Sequence, residues 1–472
     1  MKSKENLKVN HDGTYRGLSN LAVQMIAFGG SIGTGLFLGA GSTIHRTGPS
    51  ILFVYAAIGF FFFMLMRSIG EMMYADPNQH TFVAFIHRYL GSSFGRFAEW
   101  SYWLELILAA MAELTALATY FQLWFPKTPA WLIQIVFLIT LTLINLSIVS
   151  IFGKTETVLS GIKILTILAL IVIGGWMVLV HHTGISGSQA SVTNLTKNFT
   201  MFPNGVGQFI FAFPMVFFAF QGMEFVGITT AETKEPHKVL PKAINQIIGR
   251  ILFFYIGSLA VIMMIAPWQK ISATQSPFVQ IFKLAGLPAA AIIINFVVII
   301  AATSTLNSAI FSTGRHLYQL AVESNSNHLK IFKKISNKGI PINSILFSAI
   351  MMLGAPLLSL FSQLSSAFTF VASVSGDIYI LVCILTMVAH IKYRRSPDFV
   401  PNGFKMPAYQ LTEPLTILFF AAVFLSLFFS STSRLPALGA ILWAIGFGIY
   451  LKLNSPDENS NQVITLQNSN KR

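Results

Sequence analysis

Residues 29–41 read GGSIGTGLFLGAG, which places six glycines among thirteen residues of an apolar run. A nucleotide-binding loop is one interpretation, but the spacing Gly30-x-x-Gly33-x-Gly35 is not the dinucleotide fingerprint, no Walker lysine follows, and no βαβ pattern surrounds it. That interpretation is excluded. Close helix packing is a second interpretation, because Gly35 and Gly39 have the G-x-x-x-G spacing of membrane helix contacts.

A membrane helix interrupted near its midpoint is the third interpretation. Clustered glycines unwind such a helix and free its backbone groups, so that N–H groups face anions and C=O groups face cations. An opening of this kind accommodates a zwitterion, with the carboxylate on N–H groups and the ammonium on C=O groups. This interpretation is favoured for most of the stretch, and packing for Gly39.

A matching interruption is expected in the second half of the chain if the two halves are inverted repeats. Residues 211–232, FAFPMVFFAFQGMEFVGITTAE, contain Pro214, Gly222 and Gly227 as predicted breaks, with Gln221 and Glu224 near the midplane. This segment begins five spans after the first, so the two helices enter the membrane from opposite sides. Two interruptions at corresponding positions make the third interpretation much stronger.

The composition of the chain indicates a membrane protein. Of its 472 residues 54% are hydrophobic and only 10% charged, where soluble domains carry about 25% charged residues. A single cysteine, Cys383, excludes an intramolecular disulfide and a cysteine-based metal site. The polar N-terminus lacks the pattern of a signal peptide, so the first apolar segment is expected to be a retained helix.

Twelve apolar runs are long enough to cross a bilayer, which takes about 20 residues, and no soluble domain fits between them. The predicted spans are 20–41, 50–73, 98–125, 130–150, 158–181, 205–230, 247–267, 287–321, 341–361, 365–390, 413–431 and 435–453.

The basic residues lie mostly in alternate connecting segments. Of the 31 lysines and arginines, 24 fall on the side of the N-terminus, six on the opposite side, and Lys163 within a span. The positive-inside rule therefore places both termini in the cytoplasm. The same distribution explains the net charge of +14 as topology, so no nucleic-acid partner is expected.

Ionisable residues within the predicted spans are candidate functional groups, because each is costly in lipid. Lys163 either extends to the membrane surface or is a desolvated lysine that exchanges a proton and replaces a coupling cation. Glu105 and Glu113, eight residues apart, lie roughly on one helix face and either line a cavity or serve the structure alone. Glu224 is a candidate proton relay, and Asp377 is interpreted as a helix-break or gate residue.

The eighth span carries hydroxyl side chains in TSTLNSAIFSTGR, residues 303–315. Hydrogen bonds from these hydroxyls to the preceding turn explain them without a functional role. Ser308 and Ser312 also fit a stripe that faces a cavity.

Several motifs together resemble the amino acid/polyamine/organocation superfamily of permeases. They are GGSIGTGLFLGAG, GPSILFVY, MRSIGEM, FGRFAEWSYW, FAFQGMEFVGITTAETKEP with LPKAIN, and NSAIFSTGRHLYQLA. Within the superfamily they are similar to bacterial amino-acid transporters, near the D-serine/D-alanine/glycine and serine/threonine permeases. The resemblance covers about residues 15 to 455.

The resemblance implies an all-α membrane protein with twelve transmembrane helices. Its fold would be a five-plus-five inverted repeat of the LeuT type, with discontinuous first and sixth helices and two additional C-terminal helices. The implied divisions are a cytoplasmic tail at 1–15, a permease domain at 16–455 and a second tail at 456–472. Within the domain they are a first repeat at 16–181, a second repeat at 205–395 and the last two helices at 410–453.

The resemblance also implies the site. Thr34 and Gly35 would bind the substrate carboxylate, and carbonyls near Ser31, Phe218 and Gln221 would bind the ammonium. Gly33, Gly222 and Glu105 are further substrate-binding candidates. Lys163 matches the lysine that replaces a sodium ion in the family, so the coupling ion is expected to be H⁺, with Glu113 and Glu224 as further proton-coupling candidates and no cofactor.

These observations predict a plasma-membrane permease that imports small neutral amino acids with a proton by alternating access. Alanine, serine, glycine and threonine are the candidate substrates, with D-forms as further candidates. Glu105 replaces a residue that is neutral in many relatives, so a cationic or hydroxylated substrate is an alternative, as is exchange instead of symport. A channel would need rings of pore-lining charge and an enzyme a converging catalytic set, and neither pattern is visible.

Overall fold

The structure, a computed structural model, is built from α-helices. It describes Met25 and residues 32–79, 81–146, 149–185, 187–197, 199–225, 235–324, 326–336, 339–429 and 433–453. Within these ranges no β-strand forms, and a single bridge pairs Thr183 with Gln189. The predicted all-α class is confirmed for this part of the chain.

The helices of the first half follow the apolar runs of the sequence. A π-helical turn at Gly35–Gly39 leads into α1, and a 3₁₀ turn at Gly48–Ser50 leads into α2. The α-helices are α1 (Ala40–Thr47), α2 (Ile51–Ala75), α3 (Ala84–Leu90), α4 (Ser92–Gln122), α5 (Ala130–Asn145), α6 (Val149–Leu179), α7 (Thr193–Thr196) and α8 (Val206–Phe220).

The second half continues in the same way, with a π-helical segment at Ile251–Gly257 between α10 and α11. Its α-helices are α9 (Pro236–Asn245), α10 (Ile247–Arg250), α11 (Ser258–Ile265), α12 (Pro277–Leu284), α13 (Pro288–Glu323), α14 (Ile342–Met352), α15 (Gly354–Phe361), α16 (Leu364–Arg394), α17 (Tyr409–Ser426) and α18 (Arg434–Leu453).

Nine helical stretches among the described residues are long and apolar enough to cross a membrane. They are Gly35–Ala75, Ser92–Gln122, Glu156–Leu179, Pro236–Ile265, Pro288–Val322, Ile342–Phe361, Leu364–Arg394, Tyr409–Phe429 and Arg434–Leu453. Ala130–Asn145 and Val206–Phe220 are shorter apolar helices. The chain is thus a multi-pass membrane protein, while the count of twelve spans, the inverted repeat and the domain divisions stay predictions.

The centre of the bundle is α4, on which both α13 and α16 pack. The most apolar windows of α4 and α16 are each 72% buried in the protein, against 28% for α18. The polar residues of α4 and α16 consequently face other helices, whereas α18 exposes most of its surface. The ionisable side chains of the site lie on these central helices and their neighbours.

A buried charge cluster joins α2, α16 and α17 at one end of the bundle. The Glu71 carboxylate lies 2.5 Å from the Arg394 guanidinium and 3.2 Å from the His390 ring, and it accepts a hydrogen bond of 2.7 Å from the Met406 N–H. The other ring nitrogen of His390 lies 2.7 Å from the Glu413 carboxylate. Because these contacts join residues of α2, α16 and α17, the cluster links the three helices.

Candidate functional site

The interruption predicted in residues 211–232 lies at the end of α8. The helix ends at Phe220, and Gly222 has a φ of +90°, a conformation that side chains with a Cβ rarely adopt. The Gly222 N–H then donates to the Glu224 carboxylate at 3.0 Å. The break predicted at Gly222 is confirmed.

Pro214 does not break the helix, so this part of the prediction is wrong. The residue lies inside α8, which continues past it to Phe220. Membrane helices tolerate proline because neighbouring groups compensate for the missing hydrogen bond. Gly227, the other predicted break, lies outside the described residues.

The opening glycine stretch is described from Ile32 onwards, and Ser31 lies outside the described residues. Ile32 and Gly33 precede the helical turn that runs through Gly35–Gly39. Gly35 and Gly39 are therefore not unwound. The π-helical geometry of this turn is itself irregular, and such turns are frequent at functional sites.

Gly35 and Gly39 instead permit the first helix to approach α8. A Cβ on Gly35 would lie 2.5 Å from the Ala219 Cα, and a Cβ on Gly39 would lie 2.6 Å from the Met215 sulfur. The helix-packing interpretation thus applies to both glycines, and it brings the first segment against the last turn of α8.

A cavity lies where these two segments meet. It contains about 460 Å³ of empty space, counting the part open to solvent. Eight of the predicted site residues line it: Gly33, Gly35, Glu105, Glu113, Phe218, Gln221, Gly222 and Glu224. The remaining lining residues are Leu106, Ala109, Ala219, Phe225, Thr305 and Ala309.

The Glu113 carboxylate is hydrogen-bonded to a backbone N–H at the start of the first helix. Its carboxylate accepts a hydrogen bond of 3.1 Å from the Thr34 N–H, and both residues are buried. The same oxygen would lie 2.8 Å from a Cβ on Gly33. The absence of a side chain at position 33 therefore lets the carboxylate reach the backbone.

Lys163 is fully buried among protein side chains, which contradicts its extension to the membrane surface. Its ammonium lies 3.2 Å from the hydroxyl of Thr305, a residue that lines the cavity. Glu156 and Glu113 attract the ammonium electrostatically. Lys163, Glu156 and Glu113 thus form a cluster of ionisable side chains that extends from α6 to the cavity.

Glu156 is a member of this group that sequence reasoning missed. It is fully buried and accepts hydrogen bonds from the hydroxyls of Ser304, at 2.6 Å, and Ser160, at 3.3 Å. Glu156 precedes Lys163 by seven residues, which is two helical turns and places both side chains on one face. That spacing was a usable signal.

Glu105 also lies on α4 and lines the cavity, beside Ser375 of α16. The Ser375 hydroxyl is 3.2 Å from the Glu105 carbonyl oxygen, 3.5 Å from Glu105 Oε1 and 3.3 Å from Gln221 Oε1. Glu105 Oε2 and Gln221 Nε2 are buried and have no hydrogen-bond partner among the described residues.

Glu224 is held by the broken segment and by α4. In addition to the Gly222 N–H, it accepts a hydrogen bond of 3.2 Å from the Tyr102 hydroxyl. Its carboxylate is close enough to that of Glu105 for the two to repel electrostatically. The cavity is therefore bordered by three carboxylates, of which Glu113 alone is near Lys163.

Asp377 is fully buried within α16, which runs without interruption from Leu364 to Arg394. The helix-break interpretation of this residue is therefore wrong. In the hydroxyl-rich eighth span, Thr303, Thr305 and Thr313 donate to carbonyls of the preceding turn, as their structural interpretation predicts. Ser304 departs from this pattern and donates to Glu156.

Comparison with known proteins agrees with the geometry of a small-molecule site inside a helical bundle. The family described as amino acid permease matches residues 22–452. DL-alanine permease SerP2 of Lactococcus lactis subsp. cremoris is 46% identical over 92% of this chain and 94% of its own. Serine permease SerP1 of the same organism is 45% identical, over 94% and 98%.

A D-serine/D-alanine/glycine transporter of Escherichia coli (strain K12) is 39% identical over 92% of this chain and 93% of its own. These relatives are transporters and not enzymes, and they span almost the whole chain, so the resemblance seen in the motifs is confirmed. The chain belongs to the amino acid permease family of the amino acid/polyamine/organocation superfamily and is an amino-acid transporter.

Proposed function

We propose that this permease imports small neutral amino acids together with a proton by alternating access. The observation that carries the proposal is the cavity between the Gly33–Gly35 segment and the broken end of α8, with Glu113 and Lys163 at one side. The names of the relatives support alanine, serine and glycine in L- or D-form as substrates, and threonine is a further candidate.

The substrate carboxylate binds at the backbone of Thr34 and Gly35. In the described structure the Thr34 N–H is already paired with a carboxylate, that of Glu113. A donor that binds one carboxylate suits another of the same charge and shape. Substrate binding therefore requires Glu113 to leave this donor.

The substrate ammonium binds at the end of α8. The carbonyl ends of a helix carry partial negative charge, and α8 ends at Phe220 beside the cavity. The carbonyls of Phe218 and Gln221 and the break at Gly222 supply this end of the site, with Ser31 expected on the opposite segment. Carboxylate and ammonium then lie between the Thr34–Gly35 backbone and the break that follows α8.

The walls of the cavity limit the size of the substrate side chain. Phe218 is buried and its ring contacts that of Phe368 edge to face, with 6.0 Å between centroids. Leu106 and Ala109 close the side formed by α4. Small side chains fit this space better than large aromatic ones.

Proton coupling is assigned to Glu113 and Lys163, with Glu224 as a second acceptor. When a proton neutralises Glu113, its hold on the Thr34 N–H weakens, since hydrogen bonds to an ionised acceptor are stronger than those to a neutral one. The substrate carboxylate then takes the donor, and Lys163 interacts with Glu156 alone. No cofactor is needed for this cycle.

The proposed location is the plasma membrane, with both termini in the cytoplasm. The support for this orientation is the excess of lysine and arginine in alternate connecting segments. Protease accessibility of terminal tags in right-side-out vesicles tests it.

Uptake by purified protein in liposomes tests the function. An imposed pH gradient, alkaline inside, is expected to drive accumulation of radiolabelled alanine without any internal amino acid. Uptake that appears only after preloading with alanine would indicate exchange and contradict symport. A panel of the twenty L-amino acids, D-alanine and D-serine as competitors then defines the substrates.

A further inference from the structure

We propose that Glu105 and Gln221 form a subsite for a hydroxyl group on the substrate side chain, so that the permease prefers serine and threonine to alanine. The inference rests on the proposed function and adds a side-chain preference to it. Its basis is a pair of buried polar atoms on one wall of the cavity.

The first of these atoms is Glu105 Oε2. Glu105 is fully buried in the middle of α4 and lines the cavity. Its Oε1 has a weak contact of 3.5 Å with the Ser375 hydroxyl, and its Oε2 has no partner among the described residues. Since buried acceptors are almost always paired, a group that enters the cavity is the natural donor.

The second atom is Gln221 Nε2. Gln221 follows the last residue of α8, lines the same cavity and is only 9% exposed. Its Oε1 contacts the Ser375 hydroxyl at 3.3 Å, whereas its Nε2 is unpaired within the described part of the chain. The Gln221 side chain is thus held at its oxygen by Ser375, while its Nε2 donor has no partner within the described part of the chain.

Ser375 places the two side chains beside each other. Its hydroxyl is within hydrogen-bond distance of both Glu105 and Gln221, but it carries one hydrogen and serves one acceptor at a time. The wall consequently offers one acceptor and one donor that Ser375 does not satisfy.

A hydroxyl group matches this pair because it donates one hydrogen bond and accepts others. The serine side chain can donate to Glu105 Oε2 and accept from Gln221 Nε2. The alanine methyl group satisfies neither atom and leaves both buried without a partner, which carries a free-energy cost. A site built to bind a hydroxyl therefore discriminates against the analogue that lacks it.

An ammonium group fits the wall less well. The ammonium of a lysine substrate has donors and no acceptor, so it would pair with Glu105 and face the Gln221 amide hydrogens. Glu105 has no ion-pair partner among the described residues, which by itself would suit a cation. The Gln221 amide donor beside the carboxylate nevertheless favours a hydroxyl group over a cation.

The test compares serine with alanine in proteoliposomes. The measured quantity is the ratio of kcat/KM for serine to kcat/KM for alanine, because general damage to the transporter affects both values alike. The wild-type ratio is expected to exceed one. Glu105→Leu, which removes the acceptor, should lower the ratio about tenfold and leave alanine uptake measurable.

Gln221→Met is the second variant, and it removes the donor from the other side of the subsite. It should lower the same ratio, so the test does not depend on the folding of one variant. Glu99→Gln is the matched control, since Glu99 is a buried carboxylate on α4 that does not line the cavity. Gel filtration of detergent-solubilised protein confirms folding of each variant.

The outcomes separate the two proposals. A wild-type protein that imports neither alanine nor serine would contradict the proposed function, and the subsite would fall with it. Import of both amino acids with an unchanged ratio in Glu105→Leu and Gln221→Met would overturn the subsite alone. Wild-type uptake of lysine that Glu105→Leu abolishes would also overturn it, because the subsite would then bind a cation.

Discussion

The carboxylate of Glu113 accepts a hydrogen bond of 3.1 Å from the backbone N–H of Thr34, a residue 79 positions earlier in the chain. This N–H is the donor that the family resemblance assigns to the substrate carboxylate. If the substrate carboxylate binds there as proposed, a group of the protein occupies its place in the described conformation. Release of that group is the step at which a proton can be coupled to binding.

Glu113→Gln should uncouple transport from the proton. The amide keeps the size of the side chain and has no charge to lose, so protonation no longer controls access to the Thr34 donor. We expect accumulation driven by a pH gradient to fall at least tenfold, while counterflow between internal and external alanine persists. Glu99→Gln is the control, and wild-type accumulation by Glu113→Gln would contradict the role of Glu113.

Lys163→Ala should abolish proton-driven uptake and leave expression intact. Removal of the ammonium leaves the buried Glu156 without its cation, and unpaired buried charge is costly. A loss of function could then reflect instability alone. Lys163→Ala combined with Glu156→Gln separates the two effects, because it should recover thermal stability without recovering pH-driven accumulation. Wild-type accumulation in the single variant would remove Lys163 from the coupling mechanism.

The sequence indicated the local features of the site more reliably than its long-range contacts. A glycine after an apolar helix marked the break at Gly222, where the φ of +90° needs this residue. The i, i+7 spacing puts Glu156 on the same helix face as Lys163. Pro214 misled because its local effect on an isolated helix is offset by packing in a bundle.

The contacts between distant segments could not be read from spacing. Ser375 meets Glu105 across 270 residues of sequence, and Gly35 packs on Ala219 near the end of α8. Periodicity gives the face of a helix that is buried but not the helix against which it packs. The G-x-x-x-G spacing of Gly35 and Gly39 therefore indicated close packing, while their partner helix, α8, became visible only in three dimensions.

Gly35→Val is expected to prevent substrate binding by separating the first helix from α8. A Cβ at this position would lie 2.5 Å from the Ala219 Cα and 2.8 Å from its nitrogen, and backbone atoms cannot move aside as a flexible side chain can. Overpacking of this kind costs about 1–3 kcal/mol or more. Thermal unfolding measures the loss of stability, and an alanine-binding assay measures the loss of substrate binding.

Gly161→Ala is the matched control for that variant. Gly161 also lies in a membrane helix, α6, and a Cβ there would meet no atom within 4 Å. Its substitution should leave binding unchanged and raise stability slightly, since alanine favours helix over glycine by about 1 kcal/mol. Normal alanine affinity in Gly35→Val would show that the close approach of the two helices is not required.

Glu71→Ala should destabilise the end of the bundle where α2, α16 and α17 meet. The carboxylate receives Arg394, His390 and the Met406 N–H, and its loss leaves a buried guanidinium without an anion. Removal of one partner from a buried ion pair costs about 3–5 kcal/mol, so the melting temperature should fall clearly. Arg395→Ala is the control, because Arg395 is the exposed neighbour of Arg394. An equal melting temperature in Glu71→Ala and wild type would contradict a stabilising role for the cluster.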